Sequence, residues 1–281
     1  MKVKRFMSQL PRVAGLTLLW GWVAFSLLAF SWIVLSSLKT NQEFFGSVWS
    51  FPSEAMWSNY VRAFVSSDFG LYLWNTFLVV TASTLLVLVL ATPAAYVLAR
   101  IPFRGSRGVS TLFMLGLGIP EQVIMIPLFF LMFRLHLVNS LPGLVLTYSV
   151  VQLPFTVFLL TGFFITLPEE MEESAAIDGA TRLQSFVRIM LPLAMPGIIT
   201  AAIFNVVFVI NEFLLALVLL QDNEAYTLSL GLFALYGNMR YTGDWVTLFA
   251  GFTIVTVPSL LLYLVLSKRI MEGLTMGATK G

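Results

Sequence analysis

Five polar side chains stand inside long apolar runs of this sequence: Glu121 and Gln122 directly after Pro120, and Asn205, Asn211 and Glu212 together in a later run. An ionised carboxylate at bilayer depth costs roughly 2.5–3.5 kcal/mol even on permissive insertion scales, so these groups must face protein or water. Their chemistry allows three uses. Carboxylates and amides can pair with the hydroxyls of a hydroxyl-rich solute along a path. Glu121 or Glu212 could carry protons in an ion-coupled secondary carrier. The same groups could hydrogen-bond neighbouring helices, an interaction of about 0.6–2 kcal/mol each. Covalent and metal chemistry has little to draw on: there is no cysteine, and His136 is the only histidine. No G-x-S-x-G nucleophile motif and no G-x-x-x-x-G-K-[ST] phosphate loop occurs. The chain is therefore expected to be no enzyme, with no cofactor or metal of its own.

The elements that would position these residues follow from composition. Of 281 residues 58% are hydrophobic and 11% charged, against roughly 25% charged in soluble domains. Stretches long enough to cross a bilayer, about 20 residues, occur six times: Val13 to Leu38, Leu71 to Ala99, Gly108 to Phe133, Leu141 to Thr166, Pro196 to Leu220 and Trp245 to Ser267. The first is too long for a secretory signal core and lacks an A-x-A closure, so it reads as a retained span. An all-α integral membrane protein with six transmembrane helices results, both termini on one side. If that side is the cytoplasm, the inner segments hold Lys2, Lys4, Arg5, Arg12, Arg100, Arg104, Arg107, Arg182, Arg188, Lys268, Arg269 and Lys280, against Lys39, Arg62, Arg134 and Arg240 outside. Basic residues concentrate in cytoplasmic loops, so both termini are expected there.

Three regions divide the chain: a tail, first span and outer loop at 1–70; a core at 71–267; and a cytoplasmic tail at 268–281. The outer loop carries Phe44, Phe45, Trp49, Phe51, Trp57 and Tyr60, rings that settle at headgroup level. A second outer segment, Gln221 to Asp244, carries Tyr226, Tyr236, Asn238, Arg240 and Tyr241 among glycines and could touch a partner. No internal repeat is evident, which counts against a secondary carrier built from matching halves.

The 167–195 loop has helical signals of its own. Thr166 with Glu169 fits a capping box, Pro168 suits a first turn, and Glu169, Glu170, Glu172 and Glu173 crowd the positive end of the helix dipole. Asp178 and Gly179 end that helix. Thr181 with Gln184 forms a second box, and Leu183, Phe186, Val187 and Met190 repeat at helical spacing. Two short helices about a glycine turn make an element stiff enough to transmit force.

The order Glu173-Ser174-Ala175, three residues, Gly179, nine residues, Ile189, one residue, Leu191-Pro192 resembles the E-A-A-x3-G-x9-I-x-L-P loop of bacterial ABC importer permeases. Ser174 stands where that family usually has alanine. The resemblance extends to Leu73-Trp74-Asn75-Thr76-Phe77, Ala94-Ala95-Tyr96-Val97-Leu98-Ala99-Arg100, Asn211-Glu212-Phe213 and the tail Gly273-Leu274-Thr275-Met276-Gly277-Ala278-Thr279-Lys280-Gly281. It is nearest the smaller permease of maltose-type carbohydrate importers. The resemblance implies a type I ABC importer permease fold in the bacterial inner membrane, with a second, larger permease, an ABC ATPase dimer holding ATP and Mg, and an extracytoplasmic sugar-binding protein. It assigns ATPase coupling to Glu173, Ser174, Ala175, Asp178, Gly179, Ile189, Leu191 and Pro192.

Overall fold

The structure, a computed structural model, describes residues 2–278, with side chains for 15–65, 67–261 and 263–265. The side chains of Lys2, Lys4, Arg5, Arg12, Lys268, Arg269 and the rest of 268–278, and all of 279–281 with Lys280, lie outside these described residues, while the backbone of 268–278 continues as helix. Every described element is helical: α1 (Lys2–Ser37), α2 (Asn41–Gly46), α3 (Ser58–Val61), α4 (Phe69–Arg100), α5 (Ser106–Leu117), α6 (Glu121–Arg134), α7 (Leu141–Thr166), α8 (Glu170–Ile177), α9 (Arg182–Ser185), α10 (Leu191–Leu193), α11 (Met195–Asn211), α12 (Leu214–Leu219), α13 (Leu228–Thr242) and α14 (Trp245–Ala278). A backbone in hydrocarbon must satisfy its polar groups internally, which selects helices for these apolar runs. Pro93, Pro127, Pro154 and Pro258 lie inside α4, α6, α7 and α14.

Among the described residues four helices are long and apolar enough to span: 15–37, 69–100, 141–166 and 245–265. The third expected span is not straight. It breaks at Gly118–Pro120, where Pro120 cannot donate to the ladder, and α5 and α6 meet at a bend of 103°. The fifth run, read above as Pro196 to Leu220, breaks at Glu212 and Phe213, so α11 and α12 are separate helices. At its other end α11 bends by 70° from the helical segment 182–193. The second outer segment also differs from expectation: 228–242 is helix α13, with Leu228, Leu230 and Met239 buried.

The chain forms two compact units. Residues 70–231 and 258–281 make the larger. One of its apolar clusters gathers Val79, Leu144, Tyr148, Val209, Leu215 and Leu219 from α4, α7, α11 and α12. The other gathers Ala91, Ala95, Tyr96, Val157, Leu160, Phe164, Met190 and Ala201. Small residues let the helices close up: a Cβ on Gly197 would sit 2.5 Å from the Phe163 ring, and one on Gly116 2.9 Å from Pro154. The polar pair of the 73–77 segment holds the connection after α12, with Asn75 Nδ2 donating to the carbonyls of Glu224 (2.8 Å) and Tyr226 (3.0 Å) and Thr76 Oγ1 accepting from Leu228 N (2.8 Å).

The smaller unit comprises 1–69 and 232–257. Thr40 and Glu43 form a full capping box on α2. Asn59 Nδ2 donates to the carbonyls of Ser37 (2.7 Å) and Lys39 (2.8 Å), and its Oδ1 accepts from Arg62 (2.6 Å). Arg62 pairs with Asp244 at 3.6 Å, and Asn41 donates to Asp244 at 2.9 Å. Burial pushes the Asp244 carboxyl up, but hydrogen bonds from Thr247 and Asn41 and the Arg62 charge outweigh it and hold the group below its ordinary range.

Candidate functional site

The 166–195 segment is a helical hairpin. Its first expected cap does not form: Thr166 is the last residue of α7, and its hydroxyl donates to the Phe163 carbonyl (2.7 Å). Helix α8 therefore starts at Glu170 without a side-chain cap, its first turn holding Glu170, Glu172 and Glu173. Its end follows the expected glycine chemistry. Gly179 has φ +81°, Gly179 N donates to Ala176 O (3.1 Å), and Ala180 N donates to Ala175 O (2.9 Å), the paired bonds of a Schellman closure. The Thr181–Gln184 box is present in both directions.

After Ser185 the chain takes one π-helical stretch, Phe186–Met190, before α10. Only part of the expected apolar stripe is therefore covered. Met190 is buried and Phe186 partly so, while Leu183 is 71% exposed and Ile177, across the glycine turn, 86%. Among the residues assigned to coupling, Ala175 is buried, Ile189 and Leu191 are half-buried, and Glu173, Ser174, Asp178, Gly179 and Pro192 are exposed. The hairpin presents the exposed apolar side chains of Ile177 and Leu183 beside the acidic residues of α8.

What fixes the hairpin to the membrane helices was not visible in its own sequence. Arg100, the last residue of α4, pairs with Glu169 (3.4 Å) and Glu172 (3.5 Å) and donates to the Leu167 carbonyl. One turn earlier Tyr96 donates its hydroxyl to Glu172 (2.7 Å), and its ring lies 4.8 Å from Phe186 and 5.7 Å from Phe164. Both arms of the hairpin are thus held by one turn of α4. The signal that could have pointed there was the Tyr-x-x-x-Arg spacing at i and i+4, which puts both side chains on one helix face.

The five polar residues at membrane depth separate into two groups. Asn205 is buried and donates to Thr156 Oγ1 (3.0 Å) and Ala201 O (2.8 Å). Glu212, 7% exposed, turns its carboxylate onto the start of α12, accepting from Leu215 N (2.7 Å) and Ala216 N (3.2 Å), and Tyr148 donates to it as well. Glu212 thereby supplies the negative charge and the acceptors that a helix N-terminus lacks. Glu121 is half-buried in the first turn of α6, within electrostatic reach of Glu212; Gln122 and Asn211 are exposed, Asn211 Nδ2 donating to Val207 O (2.7 Å). Helices α6 and α12 pack on each other, so the breaks of both bent runs fall in one neighbourhood. Among the described residues no group of three His, Asp or Glu gathers that could hold a metal ion.

The described chain is thus all-helical, with two interrupted apolar runs and an exposed helical hairpin between α7 and α11. The family model described as "Binding-protein-dependent transport system inner membrane component" matches residues 88–272, and the chain belongs to that family. It is similar to a diacetylchitobiose uptake system permease protein of Streptomyces coelicolor, 37% identical over 256 residues that cover 91% of this chain and 85% of the relative. It is similar also to a trehalose transport system permease protein of Mycobacterium tuberculosis, 34% identical over 260 residues, 92% and 94% of the two chains. In fold it matches a solved bacterial ABC transporter involved in the import of the acidic polysaccharide alginate, with a TM-score of 0.78 and 23% identity, covering 91% of this chain and 95% of that one. The chain is a multi-pass inner-membrane permease subunit of an ABC importer that couples to a separate ATPase, and this membership decides against the ion-coupled carrier.

Proposed function

We propose that the chain is the smaller permease of a maltose-type carbohydrate importer. It crosses the membrane six times with both termini in the cytoplasm, α5 with α6 and α11 with α12 each counting as one span. It forms half of the sugar path beside a larger permease, with an ABC ATPase dimer below and an extracytoplasmic sugar-binding protein above. The uptake systems for diacetylchitobiose and trehalose among its relatives support a carbohydrate cargo, and the basic inner segments support the orientation.

The observation that carries the reading is the hairpin itself, closed by Gly179 and presenting Ile177 and Leu183 to the surroundings. Residues Glu173 to Pro192 dock on the ATPase, and Arg100 and Tyr96 pass its displacement to α4. Nucleotide-driven approach of the two ATPase subunits then moves α4 together with α7 and α11, which the hairpin joins covalently. For the path, Glu121, Gln122 and Asn211 offer groups at the shared break, whereas the polar atoms of Asn205 and Glu212 are engaged in holding helices.

Purification in mild detergent with reconstitution into vesicles tests this. The expected result is copurification of a second permease and an ATPase, with sugar uptake that requires ATP and the binding protein. Uptake without ATP that collapses with the proton gradient would overturn it.

A further inference from the structure

The segment after the first span folds back along the span instead of standing clear of it. Trp32, in α1, donates its indole N–H to the Val48 carbonyl (3.2 Å) and lies 5.9 Å from the Trp49 ring. Trp32 is five residues before the end of α1, about 7.5 Å along a helix. A second helix gives the same depth: the Phe44 ring lies 5.2 Å from Phe249, four residues into α14 and so about 6 Å from its start.

The face this segment turns outward is aromatic. Trp49 is 83% and Phe51 79% exposed, with Phe45 and Trp57 beside them, and no charge occurs from Phe44 to Pro52. It continues the wall of α1, where Phe25, Leu27 and Leu28 are exposed. Several of its backbone groups, meanwhile, have internal partners. Lys39, 1% exposed, donates its Nζ to the carbonyls of Val48 (2.9 Å) and Ser47 (3.3 Å), Glu43 accepts from Ser53 N (3.2 Å), and Met56 N donates to Leu38 O (2.9 Å). Irregular backbone facing lipid is excluded from the hydrocarbon but not from the headgroup level, where water reaches the groups left over, and indole rings favour that boundary.

We infer that residues 44–57 form an interfacial wedge, lying at the lipid headgroup level against α1 and α14, with Lys39 serving as its internal hydrogen-bond donor. Its occupant is the bilayer surface itself. The inference is independent of the coupling hairpin and of the cargo.

The sequence contains no cysteine, so each single-cysteine variant, assembled with partner subunits freed of their own cysteines, carries one nitroxide. The assembled complex in phosphatidylcholine–phosphatidylglycerol vesicles is read by electron paramagnetic resonance, comparing collisions with lipid-soluble oxygen and a water-soluble nickel chelate. Labels at Trp49→Cys and Ser50→Cys are expected to show an oxygen-to-nickel ratio above that at Glu224→Cys, an exposed polar position, and below that at Leu28→Cys, nine residues before the end of α1 and so about 13.5 Å deeper. Should Trp49→Cys not assemble, Ser50→Cys alone decides. Nickel access equal to that at Glu224→Cys would overturn the wedge, as would shielding from both reagents, which would indicate a protein partner on this face.

Discussion

At Gly179 an added Cβ would meet nothing within 4 Å, so the constraint there is conformational: φ is +81°, where an L side chain costs about 1–2 kcal/mol. Gly179→Ala should therefore reduce uptake modestly. Gly179→Asp, which adds charge to the exposed turn, should leave the chain inserted but abolish transport while ATP hydrolysis continues; wild-type uptake by that variant would remove the turn from the coupling path. Glu212 poses a different constraint. Glu212→Ala strips acceptors from two buried N–H groups, a loss of about 1–3 kcal/mol each, and should lower the melting temperature of the purified complex. Glu212→Gln retains one acceptor and should melt closer to wild type, and a larger loss in Gln than in Ala would refute the capping role. Glu43 adds a pH test. Hydrogen bonds from Ser53 and from the Thr40 backbone hold its carboxyl down at about 2, against an ordinary 4.5. A depressed carboxylate contributes stability that is complete above about 4.5 and is lost as pH falls through about 2. A nitroxide at Ser50 should stay immobile at pH 5 and sharpen progressively between pH 4.5 and 2, whereas Glu43→Gln should show the mobile spectrum throughout.

At the scale of elements, α4 is the member whose role the loop sequence could not reveal. The hairpin is covalently continuous with α7 and α11, but Arg100 and Tyr96 add α4 without a covalent link. Arg100→Ala should lower uptake per ATP hydrolysed several-fold with the ATPase still copurifying, and the exchange Arg100→Glu with Glu172→Arg should recover part of it. Loss of the ATPase from the complex would instead make Arg100 a folding residue. The hairpin's caps show how far local sequence reaches. Gly179 and the Thr181–Gln184 pair act through residues within three positions, and both form as expected. Thr166 fails as a cap because α7 is long and buried enough to extend through it, a tertiary preference absent from the local pattern. The break at Phe213 was equally hidden, since neither glycine nor proline marks it; the chain leaves the helix there with φ −132° and the Glu212 carboxylate restarts it. The break at Pro120, by contrast, was announced by its residue type.

For the whole molecule, composition and the spacing of charge-free runs made the membrane class and the position of every long helix legible, because lipid imposes a length requirement that sequence expresses directly. Bends were less legible because they depend on what packs across them. A cysteine at Glu170, labelled by an impermeant maleimide only after vesicles are opened, with one at Glu224 labelled in intact right-side-out vesicles, would bear out the orientation; the reverse pattern would invert it. The two bent runs also bear on how the chain is made. Helix α6 has 14 residues and α12 six, about 21 and 9 Å, so neither crosses a core of about 30 Å alone. Their mutual packing comes late, because α12 emerges from the ribosome about 80 residues after α6 ends, a delay of about 4–16 s at ordinary synthesis rates. During biogenesis the third run is therefore expected to stay beside the insertion machinery, its short α6 without its packing partner, until the fifth arrives.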